Sequence, residues 1–400
     1  MKKIILILLL IIPINIWGID LHSSKYIIYD NTDDTILLEK DMNKNTSIAS
    51  LTKIMTAIVI IDSNVDLNKK IKITYNMLKN VPKGAYTINL NIGEVCTYND
   101  LLYAILLPSA ADAAVALAID YSGSINKFVS EMNNKAKELN LNNTYFTNPI
   151  GMDNNNNKAT LEDILKLLKY ALNNDIFRKI YTSKEYMLNK RKIYTSLKMY
   201  NEDLKLNLNL SRIIGSKTGY TKKAGMALSQ IFNSNNHEII SITIGAPHNN
   251  NSYHLRDGLK IINYIDNNYN NQVLQKENML LKELEVRDSN IDKYNIYSDK
   301  EIIKYLSNDY NKDDFKIEYN IPEYITYKSN KKIGNIKYFF KDELLYTQEI
   351  IVNEEIKPNF ISLIKDNILY IGIGISIIII SIISIICKKR LNKKEKVVLK

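Results

Sequence analysis

The sequence predicts an α+β fold: an antiparallel sheet covered by helices, followed by a small β domain and a C-terminal transmembrane helix. Three observations carry this reading. Strand-like segments lie at both ends of the stretch from residue 25 to residue 265, helical periodicity fills the middle of it, and an uninterrupted apolar run stands beside basic residues at each chain terminus. The 400 residues are 46% hydrophobic and 24% charged with only 7 Pro and 13 Gly, which excludes a disordered or collagen-like chain. The two cysteines, Cys96 and Cys387, are too far apart in sequence and setting to form a disulfide framework.

At the N-terminus, Lys2-Lys3 precedes the apolar run Ile4 to Ile12, and Gly18 offers a small residue for cleavage, so residues 1–18 read as a signal peptide. Residues 20–266 read as one domain. Its first element is a hairpin, Lys25 to Asp30 and Thr35 to Glu39, with the turn residues Asn31 to Asp34 between them. Leu51, Ile54, Met55, Ile58 and Val59 recur at helical spacing, which predicts an amphipathic helix opening at Ser50 and packed on one side. A second helix is expected over Asn99 to Leu107, stopped by Pro108. A third follows Ser109 to about Tyr121, with Asp112 in its first turn, where a carboxylate suits the helix dipole. Ile125 to Leu139 and Leu161 to Leu172 continue the helical pattern. Strands return at Ser216 to Tyr220, Met226 to Phe232 and Glu238 to Gly245, and the short turns between them imply antiparallel pairing. A helix over Ser252 to Ile265 closes the domain.

Residues 267–357 carry short β-like runs and read as the small β domain. The apolar segment at 367–387 is long enough to cross about 30 Å of hydrocarbon, and the basic tail at 388–400 places that end in the cytoplasm by the positive-inside rule, with the body outside the cell membrane. The formal charge of +10 is mostly terminal: Lys388 to Lys400 holds seven basic residues and one acid, and Lys2 with Lys3 adds two more. The body is therefore nearly neutral, which argues against nucleic acid as a partner.

Three short motifs carry the chemistry. Ser50-Leu51-Thr52-Lys53 sets a hydroxyl and an amine three residues apart on a helix, within mutual reach, and a neutral amine can take the proton of a serine attacking a carbonyl. The same pattern by itself also suits a helix cap followed by a solvated lysine. Ser109-Ala110-Ala111 stands at a helix break, where a hydroxyl can project into a cleft. Lys217-Thr218-Gly219 begins a strand; Lys217 can bind a carboxylate and lower the pKa of Lys53 by like-charge repulsion, and Gly219 admits a close backbone approach. His22, His237, His248 and His254 lack metal-binding spacing, so neither a metal nor a cofactor is expected.

In order, these motifs resemble the Ser-x-x-Lys, Ser-x-Asn and Lys-Thr-Gly set of penicillin-recognising serine enzymes. With Tyr26 to Asp30, Ser47 to Ala57, Asp100 to Tyr103, Leu107 to Ser109, Asn148-Pro149, Gly151 and Lys217 to Thr221, the chain resembles the low-molecular-mass D-alanyl-D-alanine carboxypeptidases over residues 22–265. The resemblance implies a β-lactamase/transpeptidase-like fold, peptidoglycan stem peptide and β-lactam antibiotics as partners, and a set of roles. Ser50 is the nucleophile, Lys53 the base and Ser109 the proton relay. Lys217 and Thr218 hold the terminal carboxylate, and the backbone N–H groups of Ser50 and Tyr220 form the oxyanion hole. The chain departs from the pattern at Ala111, where the family usually has Asn; Asn154 or a neighbouring asparagine is a spatial substitute to look for.

Two other readings stay open at this level. A β-lactamase uses the same acylation machinery, and Glu185-Tyr-Met-Leu-Asn189 matches the deacylating element of one class, although it lies much nearer Lys217 than Ser109. A surface peptidoglycan-binding protein impaired in turnover by Ala111 is the other. The sequence leaves the oligomeric state undetermined.

Overall fold

Two long strands, residues 225–234 and 237–246, are buried along almost their whole length and form part of the sheet on which the rest of the first unit is assembled. A computed structural model describes residues 18–329 and 331–398, with side chains up to residue 389. The proposed signal peptide therefore falls, apart from Gly18, outside the described residues. The chain divides into two compact units between Asn270 and Asn271.

The first unit opens with the hairpin β1 (Lys25–Asp30) and β2 (Thr35–Lys40). A short 3-10 turn, Ala49–Leu51, leads into α1 (Thr52–Asp62). A small ribbon and helix follow, β3 (Lys70–Lys72), α2 (Tyr75–Lys79) and β4 (Val95–Thr97). Then come α3 (Tyr98–Leu106), α4 (Ala111–Ser122), α5 (Ile125–Glu138), α6 (Leu161–Leu172) and α7 (Asp175–Thr182), the hairpin β5 (Glu185–Leu188) and β6 (Arg191–Tyr194), and α8 (Ser196–Asp203). The unit closes with β7 (Gly215–Thr221), β8 (Gly225–Ser234), β9 (His237–Ala246) and α9 (Tyr253–Asn268).

The sheet is five-stranded and antiparallel in the order β2-β1-β9-β8-β7, so the first hairpin pairs with the last strand, Lys25 opposite Ile244. Period-2 alternation sends Ile27, Tyr29, Ile240, Ile242 and Ile231 into one core with α1 and its neighbours, while α9 packs against β8 and β9. The helix caps follow from sequence: Thr97 and Asp100 form a capping box at α3, and Thr160 caps α6.

Helix α1 differs from the expected amphipathic helix. Every residue from Thr52 to Ile61 is buried, because α3, α4, α5, α6 and α7 surround it. Its sequence of isoleucines, alanine and threonines has no solvent-facing stripe. Nor is Asp112 mainly a dipole partner: its carboxylate accepts from the backbone N–H of Ile88 (3.3 Å) and Leu90 (3.0 Å), tying the segment that precedes β4 to the start of α4.

The second unit is built from β10 (Tyr269–Gln275), which begins at the boundary, β11 (Leu280–Arg287), β12 (Lys293–Tyr297), β13 (Ile302–Ser307), β14 (Phe315–Asn320), β15 (Tyr324–Thr326), β16 (Lys332–Phe340) and β17 (Glu343–Ile351). Two three-stranded sheets, β12-β11-β15 and β14-β16-β17, share a core of Leu284, Ile296, Ile325, Ile336, Tyr338 and Ile350. Beyond α10 (Phe360–Asp366) runs α11 (Ile368–Val398). Its segment Ile368–Lys389 has a mean hydropathy of 2.7 and none of its apolar window is buried, so it is long and apolar enough to cross a membrane.

Candidate active site

Ser50 sits in the middle of the 3-10 turn, between a residue in a strained conformation and a helix buried on every side. Ala49 before it has φ +47, and Ser109, which faces the same cleft, has φ +71. Left-handed backbone at non-glycine residues costs energy and persists where the surroundings enforce it. Here Asn148 supplies part of that enforcement. Its Oδ1 accepts from the N–H groups of Ile150 (3.3 Å), Gly151 (2.8 Å) and Met152 (3.0 Å) and folds a loop against the turn. Gly151 has φ +84, and a β-carbon there would fall 1.9 Å from the Ala49 carbonyl oxygen, so only glycine fits.

That loop presents the Ile150 carbonyl to Lys53. The Lys53 Nζ donates to Ile150 O at 2.9 Å and to Ser50 Oγ at 3.0 Å. Lys53 is almost wholly buried, and burial lowers its pKa from 10.5 to about 7, opposed in part by the charge of Asp112. The lysine is thus poised between its charged and neutral forms near neutral pH.

Burial is the larger cause at Lys53. Lys217 is fully buried as well, and its pKa falls well below the usual value first through burial and then through the like charge of Lys53, a repulsion the two amines share. Its Nζ donates to Thr218 O at 3.0 Å, and it stands behind the cleft wall without lining it.

The cleft itself is a cavity of about 290 Å³ whose walls include Ser50, Lys53, Ser109, Thr218, Gly219 and Tyr220. Gly219 brings β7 against the turn, since a β-carbon on it would lie 2.7 Å from Ser50 N. Thr218 Oγ1 shares a hydrogen with Ser196 Oγ at 2.5 Å. Tyr220 is stacked on His248, with ring centroids 3.9 Å apart. Ser109 Oγ is buried at the cleft and has no hydrogen-bond partner among the described residues, leaving it free for a ligand.

The structure therefore gathers Ser50, Lys53, Ser109, Thr218, Gly219 and Tyr220 around one cavity, with Lys217 immediately behind. Ala111 lines it as well; its N–H donates to Tyr86 O at 2.8 Å. No asparagine lines the cavity among the described residues, and Asn154 Oδ1 instead accepts from Asn156 N in an exposed loop, so the amide expected at that position has no spatial substitute. Glu185 is exposed on β5, pairs with Lys192 and lies outside the cavity, which removes it as a deacylating group.

Sequence reasoning missed the contribution of α8, which supplies Ser196, Met199, Tyr200 and Asp203, and of Tyr86 and Met152. The one available signal was Thr195, whose hydroxyl caps α8 by accepting from Lys198 N. It also missed a cluster at the far end of β1 and β9, where donor atoms of Asp30, Asp33 and His237 lie within 4.8 Å of one another. There the His237 Nδ1 stands 2.8 Å from Asp30 Oδ2, and Asp30 accepts from the N–H groups of Thr32 and Asp33.

Comparison with known proteins agrees with this geometry. A family model described as D-alanyl-D-alanine carboxypeptidase matches residues 15–248. The chain is 26% identical over 362 residues to the D-alanyl-D-alanine carboxypeptidase DacF of Bacillus subtilis, covering 86% of this chain and 89% of that protein. It is 33% identical over 213 residues to a D-alanyl-D-alanine carboxypeptidase of a Streptomyces species, covering 50% and 72%. Among solved structures, penicillin binding protein 5 of Haemophilus influenzae superposes with a TM-score of 0.60 at 21% identity, over 85% of this chain and 99% of that one, a likeness of fold.

Proposed function

Because this chain belongs to the D-alanyl-D-alanine carboxypeptidase family of serine peptidases, we propose that it removes the terminal D-alanine from peptidoglycan stem peptides through an acyl-enzyme on Ser50. The observation that carries this is the contact of Ser50 Oγ with a Lys53 amine whose pKa is brought to about 7. With the amine neutral, its N–H still reaches Ile150 O while its lone pair accepts the Ser50 proton. The hydroxyl then attacks the carbonyl between the two D-alanines.

As the Oγ–carbon bond forms, negative charge develops on the carbonyl oxygen. The backbone N–H groups of Ser50 and Tyr220, brought together by the close approach of Gly219, stabilise it; such a donor is typically worth about 3 kcal/mol. The substrate carboxylate is held by Thr218 with Ser196, backed by the amine of Lys217 behind them. Breakage of the peptide carbon–nitrogen bond requires a proton on the leaving amine, which Ser109 passes from Lys53. Water then cleaves the ester and regenerates Ser50. A β-lactam follows the same first step and stops at the acyl-enzyme.

We further infer that the segment Ile368–Lys389 anchors the protein in the cell membrane, with the basic residues after it on the cytoplasmic side and both folded units outside. The test of the activity is mass spectrometry of muropeptides before and after incubation with the purified protein. Loss of one D-alanine from pentapeptides is the expected change, and unaltered pentapeptides contradict the reading.

A further inference from the structure

The cavity contains one carboxylate whose presence the acylation chemistry does not require. Asp203 is the last residue of α8 and lines the cleft with Tyr86, Met199 and Tyr200. Its charge also reaches the Tyr86 hydroxyl, which sits under the fields of Asp112 and Asp203. A carboxylate is poorly placed at a helix C-terminus, where the backbone dipole is itself negative, and α8 has no basic residue in its last turn to compensate. The neighbouring Glu202 has Lys198 as a partner at 3.7 Å. The Asp203 side chain has no ion pair or hydrogen bond among the described residues, although it is exposed to the cleft.

The position along the cleft is what gives this carboxylate a ligand. Ser196, at the first turn of α8, is hydrogen-bonded to Thr218, where the substrate carboxylate is placed. Asp203 lies about 10 Å further along the same helix, at 1.5 Å per residue. In an extended peptide the residue two before the terminus begins about 7 Å from it, and a lysine-like side chain spans the remainder. Among the described residues that line the cleft, a free amine on that residue would find a carboxylate at Asp203 alone.

We propose that Asp203 is a specificity residue, holding the side-chain ammonium of the residue that precedes the two D-alanines, so that this enzyme prefers stem peptides whose third residue carries a free amine. The proposal rests on the carboxypeptidase reading above. It deepens that reading by naming which stem peptides are taken.

The test compares release of D-alanine by the full-length protein in detergent from Nα-acetyl-L-lysyl-D-alanyl-D-alanine and from its Nε-acetylated counterpart. The unmodified peptide should have a kcat/KM about fivefold higher, mostly through KM, as expected for a partly exposed ion pair, and the ratio should shrink as salt is raised. Asp203→Asn should bring the ratio close to one, Asp203→Glu should restore part of it, and Asp203→Lys should invert it toward a peptide with glutamate as third residue. Each ratio is taken within one protein, so a general loss of activity or stability does not move it. Equal rates on the two peptides by the unaltered protein, or a ratio that survives Asp203→Asn, overturn the proposal. Release of D-alanine from neither peptide overturns the carboxypeptidase reading itself, and penicillin labelling run alongside shows whether acylation survives that failure.

Discussion

Gly219 lies so close to Ser50 that a β-carbon on it would stand 2.7 Å from the Ser50 nitrogen and 3.0 Å from the Ala49 β-carbon. The final strand of the site and the turn bearing the nucleophile are thus fitted backbone to backbone. Since both proposed oxyanion donors belong to these two segments, their separation sets the rate of attack.

Gly219→Ala should therefore slow penicillin acylation by tenfold or more while leaving the circular dichroism spectrum native, because the added methyl pushes β7 away from the turn. An unchanged labelling rate would mean that the segments can separate without cost to the donors.

Acylation should rise with pH through about 7, as Lys53 loses its proton. Stopped-time labelling with a fluorescent penicillin between pH 5.5 and 8.5 measures this. A flat profile would contradict a neutral lysine as base, and Lys53→Ala should abolish labelling at every pH.

Burial of Lys53 also predicts a stability effect. In the unfolded chain the amine titrates near 10.5 and in the folded one near 7, so between these values the unfolded state binds more protons and stability rises with pH, by up to about 1.4 kcal/mol per pH unit for this group. Lys53→Met removes that contribution, and its Tm should climb less steeply than that of the parent from pH 7 to 10. Identical slopes would show that Lys53 stays charged in the fold.

Ala111 leaves the cleft without the amide expected from the Ser-x-Asn pattern. Ala111→Asn should raise turnover of a D-alanyl-D-alanine peptide several-fold and alter penicillin acylation less, because an unstrained amide depends more on each orienting contact than a strained lactam does. Steady-state release of D-alanine, compared with labelling rate, reads both. A fall in peptide turnover would mean that the side chain crowds the space in front of Tyr86.

The boundary of the soluble part can be placed from the second unit. Pro358 pairs with Ser289, and Asn359 N donates to Asp288 O, so a chain ending at Asn359 keeps those ties and loses the apolar helix. It should be soluble without detergent and label with penicillin at the parent rate. Aggregation of that chain would count against the anchor.

Much of this was legible in the sequence, for identifiable reasons. The strands β7, β8 and β9 are runs buried at almost every position and separated by tight turns, and Leu161–Leu172 carries both cap and periodicity, so these appeared at nearly their observed bounds. Ser50, Lys53 and Lys217 could be nominated as site residues because their motif spacing is local, and the structure brings Ser50 and Lys53 together with Lys217 behind the same cleft. The wall made by α8 was not, since SLKMYNED has weak periodicity and reaches the site only through tertiary packing. The main cause of the Lys53 shift was hidden for the same reason: burial on every side is a property of the assembled helices, whereas the repulsion between Lys53 and Lys217 can be imagined from the sequence alone.

The most direct measurement is tandem mass spectrometry of the protein after exposure to a penicillin. One adduct, carried by Ser50 and missing from Ser50→Ala, is the result this account predicts. An adduct on another residue, or an unmodified Ser50 in protein shown to be folded, would contradict it.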